Sequence, residues 1–297
     1  MRRIIGWRKV SFLLTVLALT LLQACSAIKL AYNNAPEFSY WWLDAYGDFN
    51  ETQSPKVRAE LARLLLWHRT EELPKIADLL QKAQHLATAD TSPAPVCVLF
   101  ADARLRFNAI TTQAEPVTVS LAMSLSPEQI THIERKFTKN NTEWRNDWLK
   151  LTPPERIDKR FKSNLERSEE FYGKLEDRQL ATLRSSLAAS IYDTELTHAE
   201  RMRRQQDLLQ SLKQITGAGG AVPKPGIAEA TAALRGYVER TINSPNPVYR
   251  TYNDKIIVES CTLFAQLHNS ATPDQRARAV RRLAAYERDA RELNGQR

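Results

Sequence analysis

The stretch LSPEQITHIERKF, residues 125–137, carries a complete set of signals for starting a helix. Ser126 stands where a side-chain oxygen caps the first free N–H groups. Pro127 takes the first helical position, where a missing N–H is no loss. Gln129 reaches back to complete a capping box, and Leu125 and Ile130 occupy the hydrophobic positions that staple it. Ile130, Ile133 and Phe137 then recur at three and four, and Trp144 and Trp148 extend the stripe. The signal returns at 151–155 (LTPPE), with Thr152 and Glu155, and at 272–275 (TPDQ), with Thr272 and Gln275. The stretch LEDRQ, 175–179, keeps the Leu and the Gln but lacks the cap and the proline. Leu125, Leu151 and Leu175 are spaced by roughly 25 residues, a long helix plus its turn.

The same reading extends outward. Ser54-Pro55 looks like an N-cap with proline in the first turn, opening a helix through Leu61, Leu64, Leu65 and His68 that Pro74 breaks or kinks. A second helix runs to about Ala87, residues 88–95 (TADTSPAP) form a loop, and apolar spacing resumes from Val96 through Leu105 and Ile110. Ile157, Phe161, Leu165 and Tyr172 make a further stripe, and another helix runs from about Asp193 to Gln214. Residues 216–226 (TGAGGAVPKPG) are dense in Gly and Pro and read as a linker. Helices at roughly 227–242, 247–269 and 274–294 complete the chain. No alternating strand pattern longer than a few residues occurs. The expected fold is all-α, an elongated multi-helix bundle with long antiparallel helices: a main bundle over 37–215, with the helices of 227–297 packing on it.

The first residues differ in kind. Arg2, Arg3, Arg8 and Lys9 precede the apolar run VSFLLTVLALTLL (10–22), too short for a comfortable spanning helix and suited to a signal peptide. Leu22-Gln23-Ala24-Cys25 resembles the lipobox of bacterial lipoproteins. That resemblance implies removal of residues 1–24, palmitate and diacylglycerol on Cys25, a lipidated tether over 25–36, and attachment to a membrane. Ser26, where an Asp would favour inner-membrane retention, implies the periplasmic face of the outer membrane. Four of the +8 charges fall in the leader, leaving +4 from residue 25 onward. An exported chain of so modest a charge is not expected to bind nucleic acid. Of the three cysteines, Cys97 and Cys261 then remain as an even pair in an oxidising compartment. A disulfide between them is expected, against the alternative of two buried thiols.

The segment 37–50 (EFSYWWLDAYGDFN) is the most aromatic in the chain. Phe38, Trp41, Trp42, Ala45, Tyr46 and Phe49 fall on one helical face, while Glu37, Asp44, Asp48 and Glu51 lie mostly off it. So close to the lipid, that face could rest in the membrane interface, where Trp and Tyr are comfortable. Interfacial helices usually carry Lys and Arg on the polar side, and this one carries acids, so the face is expected to pack into the core. Trp41, Trp42 and Tyr46 are the candidate interaction surface.

Signs of catalysis are scarce. The five histidines, His68, His85, His132, His198 and His268, form no zinc motif, and no cofactor or metal is expected. Glu195 and His198 make one Glu-x-x-His unit, which di-iron bundles use twice. His132 with Glu128, and His68 with Glu71, read as surface helix pairs. Arg276, Arg278, Arg281, Arg282, Arg288 and Arg291 read as a solvated face, and Asn140-Asn141 as a buried amide that fixes helix register.

Two resemblances follow. YNNAPEFSYWWLDAY (32–46), LSPEQITHIERKFTKNN (125–141) and LTPPERIDKRF (151–161) are similar to an uncharacterised family of Gram-negative envelope lipoproteins, over nearly the whole mature chain. It implies an envelope location and brings no activity. LSPEQ (125–129) is also similar, less closely, to the LTxxQ motif of small helical periplasmic chaperones, with Ser126 in place of Thr. The expected function is therefore that of a non-enzymatic, lipid-anchored scaffold with an envelope protein partner. The alternative is a chaperone-like protein that binds unfolded clients.

Overall fold

A computed structural model describes residues 28–218 and 225–296. Cys25 and the leader lie outside the described residues, as does most of the segment read as a linker. Among the described residues the regular structure is all helical, with no strand. The helices are α1 (Ala35–Gly47), α2 (Ser54–Trp67), α3 (Leu73–Leu86), α4 (Pro93–Ser124), α5 (Pro127–Trp144) and α6 (Pro153–Tyr172). They continue with α7 (Asp177–Ala188), α8 (Thr194–Thr216), α9 (Ile227–Ile242), α10 (Pro247–Asn269) and α11 (Pro273–Gly295). Residues 28–33 are also helical and lead into α1 through a single turn at Asn34.

Ser126, Thr152 and Thr272 each head a capping box with Gln129, Glu155 and Gln275. Two sites differ from their sequence reading. Glu176 serves as a cap after all, its backbone N–H donating to Gln179 at 2.8 Å. Ser54 does not: Asn50 accepts from the N–H groups of Thr52 and Gln53, while Gln53 accepts the N–H of Asn50 at 3.1 Å. The Ser54 hydroxyl instead donates to the Asn50 carbonyl and receives the Tyr40 phenol. Pro74 does not end the helical path either. Proline has no N–H for the carbonyl four residues back, and the chain passes from α2 to α3 through a wide π turn over His68–Glu72.

Four apolar clusters make the core, each built from helices distant in sequence. Val119 and Ala122 of α4, Ile130 and Ile133 of α5, Leu212 and Ile215 of α8, and Ala230 and Leu234 of α9 form the largest. A second joins Tyr172, Leu175, Leu183 and Leu187 to Leu267, Ala271 and Ala279. Leu73 and Ala77 of α3 pack on Ala290 and Leu293 of α11, and Val96 of α4 packs on Cys261 and Ala265 of α10. Cys97 and Cys261 form a disulfide beside that last cluster, with Cα atoms 5.5 Å apart. Helix α4 spans 32 residues, about 48 Å at 1.5 Å per residue. It joins the α10 cluster at its start to the α8–α9 cluster at its end. Arg240 of α9 and Arg203 of α8 both grip Asp207, so α8 and α9 are clamped across the Gly/Pro segment.

The aromatic face of α1 is where the sequence reading fails. Phe38, Trp41 and Trp42 are 63%, 62% and 63% exposed. The side that packs inward is the opposite one: Tyr40 and Gly47 are buried, with Tyr32, Pro36 and Leu43 partly covered. Both sides have three-and-four spacing, so periodicity alone cannot choose between them. Gly47 leaves room for the Phe49 ring, which a Cβ there would strike, and its carbonyl accepts from Gln129 of α5 at 2.8 Å.

Candidate functional site

The residues nearest the proposed lipid are clasped to the body by polar bonds. Lys29 pairs with Glu292 of α11 and lies 3.5 Å from Asp289. Asp289 is 2% exposed and its carboxylate oxygens lack hydrogen bonds, so the Lys29 ammonium is the charge that compensates it. The hydrogen bond to Glu292 is the largest of the effects that hold the Lys29 ammonium above its usual value. Arg69 donates to Asn33 at 2.6 Å. Tyr32 is pushed up to about 12 by burial and lies 2.9 Å from His68 Nδ1; burial holds that imidazole below its ordinary value. Both rings are therefore neutral at pH 7, and the phenol donates to the imidazole. His68 thus pairs with Tyr32 across elements, and Glu71 is exposed. Sequence reasoning missed this clasp. Its one signal was that Lys29, Tyr32, Pro36, Tyr40, Leu43 and Gly47 continue one helical face through the tether.

Along α1 the acids are occupied. Glu37 pairs with Arg58, whose guanidinium lies 3.6 Å from the centroid of the Tyr40 ring. Asp44 accepts the N–H of Phe49 at 2.9 Å. Tyr46 parts company with the two tryptophans. Its phenol accepts from Asn140 at 2.7 Å, and its ring lies between Trp42 and Phe137, so it belongs to the α1–α5 seam. His132 likewise faces α1, with Nε2 at 3.3 Å from the Ala45 carbonyl and Nδ1 at 4.0 Å from Asp48, rather than pairing with Glu128.

Other polar groups are bound up in the frame. Asn141 is buried, donating to Gln205 of α8 at 2.6 Å and accepting from Arg201. His198 stacks on Trp144, ring centroids 4.9 Å apart, and Glu195 is exposed. The arginines of α11 are less free than a solvated face implies: Arg276 holds Asp90, Arg282 holds Glu170, and Arg291 bonds Glu287. A cleft of about 410 Å³ beside the start of α8 is lined by Arg160, Ser190, Tyr192 and Glu195. Ser190 accepts from Arg160 at 2.9 Å and donates to Glu259, which also takes the N–H of Ile191 at 3.0 Å. The hydroxyl is thus committed to holding the 189–193 loop. Among the described residues no three His, Cys, Asp or Glu side chains converge as metal ligands. No helix among them is long and apolar enough to cross a membrane.

A family model described as a family of unknown function, DUF6279, matches residues 45–218. The chain belongs to that family. The matched segment takes in the 125–141 and 151–161 stretches but begins near the end of α1, so it is shorter than the resemblance read in the sequence. No curated protein and no solved structure matches the chain.

Proposed function

We propose that this chain is a non-enzymatic, lipid-anchored helical lipoprotein of the periplasmic face of the outer membrane, acting as a scaffold for an envelope protein partner. The observation that carries the reading is the Cys97–Cys261 disulfide. A structural disulfide belongs to an oxidising compartment, and it leaves Cys25 as the odd cysteine, directly behind a basic and apolar leader. The clasped segment 28–33 supports the same reading, since it fixes the chain to the body three residues after Cys25.

Metabolic labelling with a palmitate analogue tests the anchor. The wild type is expected to take the label and Cys25→Ala to lose it. Absence of label from both sinks the lipoprotein reading. The client-binding alternative has one observation in its favour, the exposed Val98, Leu105 and Phe107 on α4.

A further inference from the structure

The exposed side of α1 is continuous with the tether. The backbone N–H of Asn34 donates to the Leu30 carbonyl and that of Phe38 to the Asn34 carbonyl, so the helix runs almost unbroken from residue 28 to 47. Leu30, Ala31, Asn34, Phe38, Trp41, Trp42 and Ala45 all face outward along it. We infer that this face lies in the lipid–water interface of the bilayer, so that the protein docks by Phe38, Trp41 and Trp42 as well as by its lipid. The inference rests on the lipid-anchored reading above and specifies how the body sits on the membrane.

Three observations choose a bilayer as the occupant. The first is proximity. Cys25 lies three residues before Ile28, about 10 Å of extended chain at most, and Trp42 lies fourteen residues after it, about 21 Å along a helix. With 28–33 clasped to α11 and the π turn, α1 cannot swing away from the surface that takes up the lipid. The second is chemistry. Tryptophan is at home in the headgroup region, with Phe and Leu slightly deeper, and the helix lacks the length and apolarity to cross. The third is charge. Glu37 is paired with Arg58 and Asp44 accepts a backbone N–H, so both acids within α1 are engaged, while Asp48 and Glu51 stay exposed beyond its end. Lys136, beside Tyr46, stands at the flank and suits a lipid phosphate.

The test uses the full chain in vesicles of phosphatidylethanolamine and phosphatidylglycerol, with lipids brominated near the headgroup as quenchers of tryptophan emission. Two of the five tryptophans beyond residue 25 lie on the face, so emission is expected to fall by about two fifths. Trp41→Phe with Trp42→Phe is expected to abolish most of that quenching. Phe38→Gln with Trp41→Gln and Trp42→Gln is expected to weaken vesicle binding at least tenfold when Cys25 is also replaced by Ala, with an unchanged circular dichroism spectrum.

Palmitate labelling without quenching overturns the inference and leaves the anchor standing. Quenching without label supports the face and overturns the anchor. Failure of both overturns both. A photo-crosslinker at position 41 that traps a single protein, with no quenching, assigns the face to a protein partner and overturns a bilayer as its occupant.

Discussion

At the scale of single residues, glutamine does more here than cap helices. Gln129 accepts the N–H of its own cap, Ser126, at 2.9 Å, and donates to Gln53 at 2.7 Å and to the carbonyls of Gly47 and Asp48. Gln53 answers by donating to Ser124. Gln179 and Gln275 form the same reciprocal pair at the other end of the core, reaching the carbonyls of Ser270 and Lys174. The glutamine of the chaperone-like motif thus fastens two helix starts together. In an isolated capping box Glu serves as well as Gln. Here the donor half of the amide is needed, because a carboxylate would face two backbone carbonyls. Gln129→Glu is therefore expected to cost about 2 kcal/mol or more, whereas Glu155→Gln in the exposed Thr152 box should leave the unfolding midpoint unchanged. Urea unfolding midpoints compare them, and equal effects would show the pairing to be dispensable.

At the scale of elements, helix existence was legible and helix orientation was not. Caps and prolines mark most starts because orphan N–H groups must be satisfied locally, and helices at 227–242 and 247–269 can be read off the chain. Asn50–Gln53 escaped notice because its box has no proline and opens on a turn. The outward face of α1 was misread because the bonds that occupy its acids come from Arg58 and a local backbone amide, which spacing does not reveal. The Tyr32–His68 contact joins residues that only the fold brings together. Helix α4 poses the complementary question, since its middle is thinly covered: Leu105 and Phe107 are exposed, and its buried anchors lie near its ends. Its second turn is tied by the disulfide to α10, 164 residues away. Cross-links that close long loops restrict the unfolded chain most, so Cys97→Ala with Cys261→Ala is expected to lower stability by about 3–5 kcal/mol. Thermal melts of the variant, and of the wild type with and without reductant, read this directly. A loss under about 1 kcal/mol would mean that the Val96–Ala265 packing alone holds the junction.

At the scale of the whole molecule, the buried polar groups predispose the bundle to lose stability in acid, in two stages. His268 is 1% exposed, between Tyr172 at 2.9 Å from Nδ1 and the Ala89 carbonyl at 2.9 Å from Nε2. Burial above all holds it below its ordinary 6.5, as it does His68. Each imidazole is thus neutral in the fold at pH values where it would be protonated in the unfolded chain. Between the two values the unfolded state binds more protons, so stability rises with pH there and is lost as pH falls below about 6.5. The second stage belongs to the α8–α9 clamp. Burial works to raise the Glu200 carboxyl, but hydrogen bonds from Arg203, Arg204 and Ser244 outweigh it and hold it below 4.5. Hydrogen bonding from Arg240 chiefly holds Asp207 below 3.8. These stabilise the fold above the ordinary carboxylate values and cease to do so as pH falls through the lowered ones. Unfolding free energy measured from pH 8 to pH 3 should therefore decline first as pH falls below about 6.5, then again below about 4.5. His68→Gln with His268→Gln should flatten the first decline and leave the second, because glutamine does not titrate. A first decline that survives in the double variant would assign it to other groups and remove the buried imidazoles as its cause.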